Sequence, residues 1–159
     1  MAAPPITGST RYIPEGVTHF YYVAAIANTA SPTRSELNAG TDLTPEIAAV
    51  GDWAINGAAV PTPDLSTLFD SSVSGKTSMG TTTIDMYASS NSTDVRSLLP
   101  RGTTGYIVKF PEGDVTGRTM DVFKITVLAQ PKPTNMGNPS VIQLQFVVNK
   151  TPNENVVVP

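Results

Sequence analysis

Apolar positions along this chain come in short bursts between turn residues, and where a period is clear it is two. In Val141–Val148, Ile142, Leu144, Phe146 and Val148 fall on one side and Gln143 and Gln145 on the other. Successive side chains of a strand point to opposite faces, so the segment predicts a strand with one buried and one polar face. Thr81–Ala88 repeats the pattern, setting Thr82, Ile84, Met86 and Ala88 against Thr83, Asp85 and Tyr87. Further strands are predicted at Thr18–Ala27, Glu46–Val50, Trp53–Val60, Tyr106–Phe110 and Thr119–Leu128. Their breakers are Gly51-Asp52, Glu112-Gly113-Asp114 and the proline-rich run from Pro131 to Pro139.

Short helices interrupt this series. Thr33 is the expected N-cap of the first, Glu36 its capping-box partner and Gly40 its stop. Asn91-Ser92-Thr93-Asp94 caps the second, whose Val95, Leu98 and Leu99 make a buried stripe before Pro100 ends it. Seven or so short strands with one or two short helices predict an all-β fold, an antiparallel β-sandwich or barrel.

Three segments stand outside the pattern. Residues 1–16 carry three prolines and read as an extended N-terminal arm. Pro61–Gly80 holds Leu65, Leu68, Phe69 and Val73 among prolines, glycines and serines without a strand or helix period. It reads as a long loop, and loops beyond about 12 to 15 residues are usually functional or disordered; the apolar residues point away from disorder. Residues 149–159 form a C-terminal arm ending Val156-Val157-Val158-Pro159, an apolar stretch where chains normally fray. Each segment exposes area that a solitary molecule would leave wet, which marks contact with other chains.

Composition narrows the chemistry. The 159 residues suit one domain, 1–159, with appended arms. The chain has no cysteine, which excludes disulfides, thiolate zinc and iron–sulfur sites and a cysteine nucleophile. His19 is the one histidine, so a paired-histidine metal site is excluded. Charged residues make up 14% against roughly 25% in a typical soluble domain. The net charge of −3 opposes a general grip on DNA or on an anionic membrane. There is no long apolar run and no signal-like start, so synthesis in the cytosol is expected.

Candidate catalytic patterns fail on context. Gly75-Lys76-Thr77 resembles the end of a phosphate loop, but the first glycine of that pattern falls on Asp70. Gly102-Thr103-Thr104-Gly105 reads as a bridge between a helix and a strand. His19 has no serine or aspartate at an interpretable spacing, and the acidic residues form no calcium-loop ladder. Arg96 and Arg101 flank a helix end, where they can complement its dipole. The expectation is a non-enzymatic protein without cofactor or metal, built to assemble.

Several stretches, taken in order, carry a family resemblance. They are Arg11-Tyr12-Ile13-Pro14-Glu15-Gly16, the run from Pro32 to Leu43, the run Asp94-Val95-Arg96-Ser97-Leu98-Leu99-Pro100-Arg101-Gly102-Thr103-Thr104-Gly105, and Met120-Asp121-Val122-Phe123. Together they resemble the tail tube (major tail) proteins of long-tailed bacteriophages, notably those of actinobacteria. The resemblance implies a β-sandwich or barrel with a flanking helix at Thr93–Leu99. It implies six copies per ring, rings stacked into a tube and a lumen through which double-stranded DNA leaves the capsid. It also implies a virion protein assembled in the bacterial cytoplasm beside tape measure, tail terminator and tail tip proteins, with no membrane.

On this chain, 61–80 then becomes the loop that reaches the neighbouring ring, and both arms bridge subunits. The expected inter-subunit contacts are Ile6, Tyr12, Ile13, Asp64, Leu65, Leu68, Phe69, Val73, Lys76, Val156, Val157 and Val158. The lumen candidates are Thr83, Asp85, Gln143 and Gln145. The alternative is another phage structural protein, a head decoration or head–tail completion protein.

Overall fold

A computed structural model of the chain describes residues 3–159, so the first two residues of the expected arm lie outside it. After the arm come strand β1 (His19–Val23), helix α1 (Arg34–Asn38), strand β2 (Thr41–Asp42), a 3-10 turn at Thr44–Glu46 and strand β3 (Ile47–Val50). Strands β4 (Asn56–Thr62), β5 (Ser71–Ser78) and β6 (Thr82–Tyr87) precede helix α2 (Val95–Leu98). The chain ends with β7 (Thr104–Phe110), β8 (Thr119–Ala129), β9 (Val141–Val148) and β10 (Asn153–Val157).

Eight strands form one antiparallel sheet in the order β2-β1-β7-β8-β9-β6-β3, with β10 added on β8. Its two edge strands, β2 and β3, are separated in sequence only by residues 43–46. Five Cα steps reach at most about 18 Å, whereas a flat sheet of seven strands would hold its edges about 29 Å apart. The sheet is therefore rolled, and the bonds at the seam agree: the Phe20 N–H donates to Thr44 Oγ1 (3.0 Å) and the Leu43 N–H to the Phe20 carbonyl (2.9 Å).

Rolling encloses one face. Phe20, Ile107, Phe123, Ile125, Ile84, Leu144 and Phe146 pack there, with Val95 and Leu99 at either end of α2. Trp53 plugs this core, its ring centroid 4.9 Å from that of Phe123 and 5.8 Å from that of Phe146. The outer face has a second, smaller core over β1, β7 and the first half of β8, where Val108, Phe110, Met120 and Val122 are covered by Ile26, by Leu37 of α1 and by Val158.

The capping box of α1 forms as its sequence implies: Thr33 caps the Glu36 N–H while the Glu36 carboxylate accepts from Thr33 and from the Ala27 N–H. Gly40 follows the helix end for a packing reason. A Cβ there would lie 2.9 Å from the Tyr22 carbonyl oxygen, so only glycine lets the turn approach β1.

Six expectations change. Pro61–Gly80 is no loop: β4 runs to Thr62 and pairs with β5 in a two-stranded ribbon, Val60 opposite Val73 and Thr62 opposite Ser71. Trp53 lies before β4, in a connection. The first strand stops at Val23, short of the predicted Ala27, and α2 is shorter than Thr93–Leu99. Arg96 turns away from the helix carbonyls to fork onto Asp94 and the Ser89 carbonyl. The C-terminal arm is strand β10, paired to β8 of its own chain, with Val158 fully buried.

Candidate assembly surfaces

The β4–β5 ribbon brings six of the expected contact residues onto one projection. Neither strand is shielded by another sheet, and almost every residue in it is exposed. The turn joining the strands is shaped by its own side chains: the Asp64 carboxylate accepts from the Ser66 N–H (2.7 Å) and Thr67 Oγ1 accepts from the Phe69 N–H (3.1 Å). The Ser66 hydroxyl and amide hold the Asp64 carboxyl below its ordinary range. This scaffolding turns Leu65 and Leu68 fully into solvent, with Phe69 75% exposed beside them and Val73 on the adjoining strand. Lys76, on β5, makes no ion pair among the described residues.

The four lumen candidates also come together. Thr83 lies opposite Gln145 and Asp85 opposite Gln143 across the β6–β9 pair, and Gln145 Nε2 donates to Gln143 Oε1 (3.2 Å). Ala49 on one flank and Ala129 on the other keep this patch flat. It occupies the half of the outer sheet face that α1 and β10 leave uncovered. One oxygen of Asp85, Oδ1, is shielded from water with no hydrogen-bond partner, a cost that an isolated subunit carries unrelieved.

The two arms behave differently. Residues 3–13 have no regular structure, and Ile6, Tyr12 and Ile13 are exposed. Val156 and Val158 instead pack on the outer core while Val157 points outward. The C-terminus is held further by the Gly117 N–H on the Val158 carbonyl (2.9 Å) and the Val158 N–H on the Arg118 carbonyl (2.8 Å).

Beside these surfaces sits an ion pair that sequence reading missed. Arg34 of α1 grips Asp114, in the turn after β7, through its two terminal guanidinium nitrogens Nη1 and Nη2, and Tyr21 Oη donates to the same carboxylate (3.2 Å). The hydrogen bond from Arg34 is the main reason the Asp114 carboxyl lies below its usual range. Burial above all, then the charge of Asp114, pushes the Tyr21 phenol up to about 12. No spacing signals this contact, because 80 residues separate the partners. Arg96 similarly drives Asp94 far below the carboxylate range.

Geometry also removes the weak chemical motifs. Gly75-Lys76-Thr77 lies inside β5, where successive amides point to opposite sides of an extended strand and do not converge into a phosphate cradle. Gly105 is pressed against the Tyr22 ring, where an added Cβ would fall 2.5 Å from the ring edge. His19 Nδ1 stands 3.7 Å from Asp42 Oδ2, and its ring packs edge-on against Tyr21. No helix among the described residues is long and apolar enough to cross a membrane.

A family model described as phage tail tube protein matches residues 7–159. The chain belongs to that family. A chain in the cryo-EM structure of the anti-feeding prophage baseplate, determined with 6-fold symmetrisation, shares the fold: the TM-score is 0.56 at 9% identity, covering 96% of both chains. No curated protein matches in sequence. Membership in the phage tail tube family makes this an all-β structural protein of the virion tail, as its sequence resemblance implied.

Proposed function

We propose that six copies close into a ring, that rings stack into a tube, and that double-stranded DNA passes through the lumen during genome ejection. The observation carrying this reading is the β4–β5 ribbon. Burying one Leu or Phe side chain contributes roughly 1.5–3 kcal/mol, so Leu65, Leu68 and Phe69 gain several kcal/mol only when a neighbouring copy covers them. Ring number takes its support from the 6-fold symmetry of the anti-feeding prophage baseplate, which holds a chain of the same fold.

The polar patch of Thr83, Asp85, Gln143 and Gln145 is the proposed lumen wall. It offers hydroxyls, amides and a carboxylate, and no cation to hold phosphates. Six copies at −3 give −18 per ring, so the wall repels DNA and lets it slide. Lys76 on the ribbon pairs with a carboxylate of the next ring, and tape measure, terminator and tip proteins cap the column. Assembly takes place in the host cytoplasm.

Electron microscopy of concentrated protein tests the reading. Long hollow tubes are expected. Trimers, single rings that never stack or lattice sheets would favour a head decoration or head–tail completion role. Lys76→Glu protein that still forms tubes of normal length would remove the Lys76 contact alone.

A further inference from the structure

We infer that Ile6–Ile13 of one copy adds as a strand to the free edge of β3 in a neighbouring copy. The inference deepens the ring-and-tube reading and rests on it for the presence of the neighbour. Two observations meet here.

The first is an unprotected edge. Sheet edges invite pairing unless they are very short, charged, broken by proline or bent. β2, at one end of the sheet, has only two residues. β10 carries Glu154 and is distorted at Asn155, whose φ is +56°. β3, at the other end, reads Ile-Ala-Ala-Val; even with an irregular step at Ala48, it exposes Ala48, Ala49 and Val50 with neither charge nor proline. It borders a groove of ≈ 680 Å³ whose lining includes Tyr12, Pro14, Phe20, Ile47, Val50 and Pro111.

The second is an unused strand. Ile6-Thr7-Gly8-Ser9-Thr10-Arg11-Tyr12-Ile13 is a proline-free run of strand length bounded by Pro5 and Pro14. Thr, Tyr and Ile favour extended pairing, and the prolines stop the strand at either end. Among the described residues, 3–13 make no hydrogen bond to the rest of the chain. The arm enters the groove of its own subunit only from Tyr12 onward and then leaves, with Ile6 94% exposed. The rest of the groove is therefore open to another copy. Charge agrees, since Arg11 lies in the arm while exposed Glu46 and Asp52 flank β3. Donor and acceptor are different surfaces of the same chain, so the contact is head-to-tail, the kind that closes rings.

The chain lacks cysteine, which makes the test clean. Full-length Ala48→Cys protein is mixed with each of five arm variants, Gly8→Cys, Ser9→Cys, Thr10→Cys, Arg11→Cys and Tyr12→Cys. The mixtures are assembled, checked for rings by microscopy and oxidised. A strand presents alternate residues to each face, and a disulfide needs Cα atoms about 4.4–6.8 Å apart, so dimers should form from arm positions of one parity, roughly tenfold over the other. Adding Arg11→Glu to the best arm variant other than Arg11→Cys should lower the yield about threefold, and Glu46→Arg in its partner should restore it.

Rings without such dimers would overturn the inference and leave the ring reading standing. A Thr10→Cys/Ala48→Cys chain that closes on itself as a monomer would overturn it in favour of an arm folded on its own edge. Absence of both rings and dimers would overturn both.

Discussion

The rolled sheet and the β4–β5 ribbon are made of the same unit, antiparallel strand pairs, and have opposite fates for their side chains. In β6 and β9 burial alternates residue by residue, in β8 both faces are buried where the two cores meet at Val122 and Phe123, and Phe146, Leu144 and Ile125 are fully enclosed. In β4 every residue is exposed, and in β5 only Ser71 and Gly75 are even partly covered. The sheet is stabilised by its own packing. The ribbon has hydrogen bonds but no face to bury, and an isolated two-stranded ribbon is marginal in water. Its apolar turn is thus a surface awaiting a partner.

Substitutions separate the two regions by how they act. Phe146→Ala removes a fully buried aromatic ring and should cost about 3–5 kcal/mol in chemical denaturation, with assembly lost through unfolding. Truncation after Pro152 strips β10 and uncovers the outer core. With Val158 fully buried, the expected loss is about 3 kcal/mol, and an unchanged midpoint would show that β10 belongs to the assembly and not to the subunit.

Asp114→Asn breaks the clamp on α1. The Arg34 side chain is 42% exposed and so screened by solvent, and the expected cost is about 1 kcal/mol at neutral pH. Because the Asp114 carboxyl is depressed in the folded state, its contribution is present above the ordinary aspartate value of 3.8 and fades as pH falls through the lower folded value. Stability curves of the parent and Asp114→Asn should converge at acid pH.

Leu68→Ser should change stability by less than about 0.5 kcal/mol, since the side chain touches little in the subunit. It should nevertheless shorten or abolish tubes. Deleting residues 63–70 and closing the ribbon with a two-residue turn should give the same dissociation of folding from assembly. Either variant unfolding by circular dichroism would mean the ribbon supports the core after all.

Legibility followed burial. Gln143 and Gln145 alternate with Ile142, Leu144 and Phe146, so their shared polar face could be read directly, as could that of Thr83 and Asp85. That these four residues form one patch required the β6–β9 register, which pairs segments more than 50 residues apart. The contact residues of the ribbon were also recognisable as exposed apolar groups, though their strand geometry was not. Ala59, Ser72 and Ser74 carry no alternation because neither ribbon face meets a core. The burial of Val158 leaves no mark in the sequence: three consecutive valines at a terminus have no period that separates a docked strand from a loose end.

The amino-acid sequence by itself determined the faces of the central strands, the capping box at Thr33 and Glu36, the fold class and the family, because each depends on residues close together or on a pattern that burial imposes. The tertiary structure alone decided that the sheet rolls, that β10 seals the outer core, and that Arg34 finds Asp114. These depend on long-range pairing, where the free energy comes from surfaces meeting in space and leaves no period along the chain.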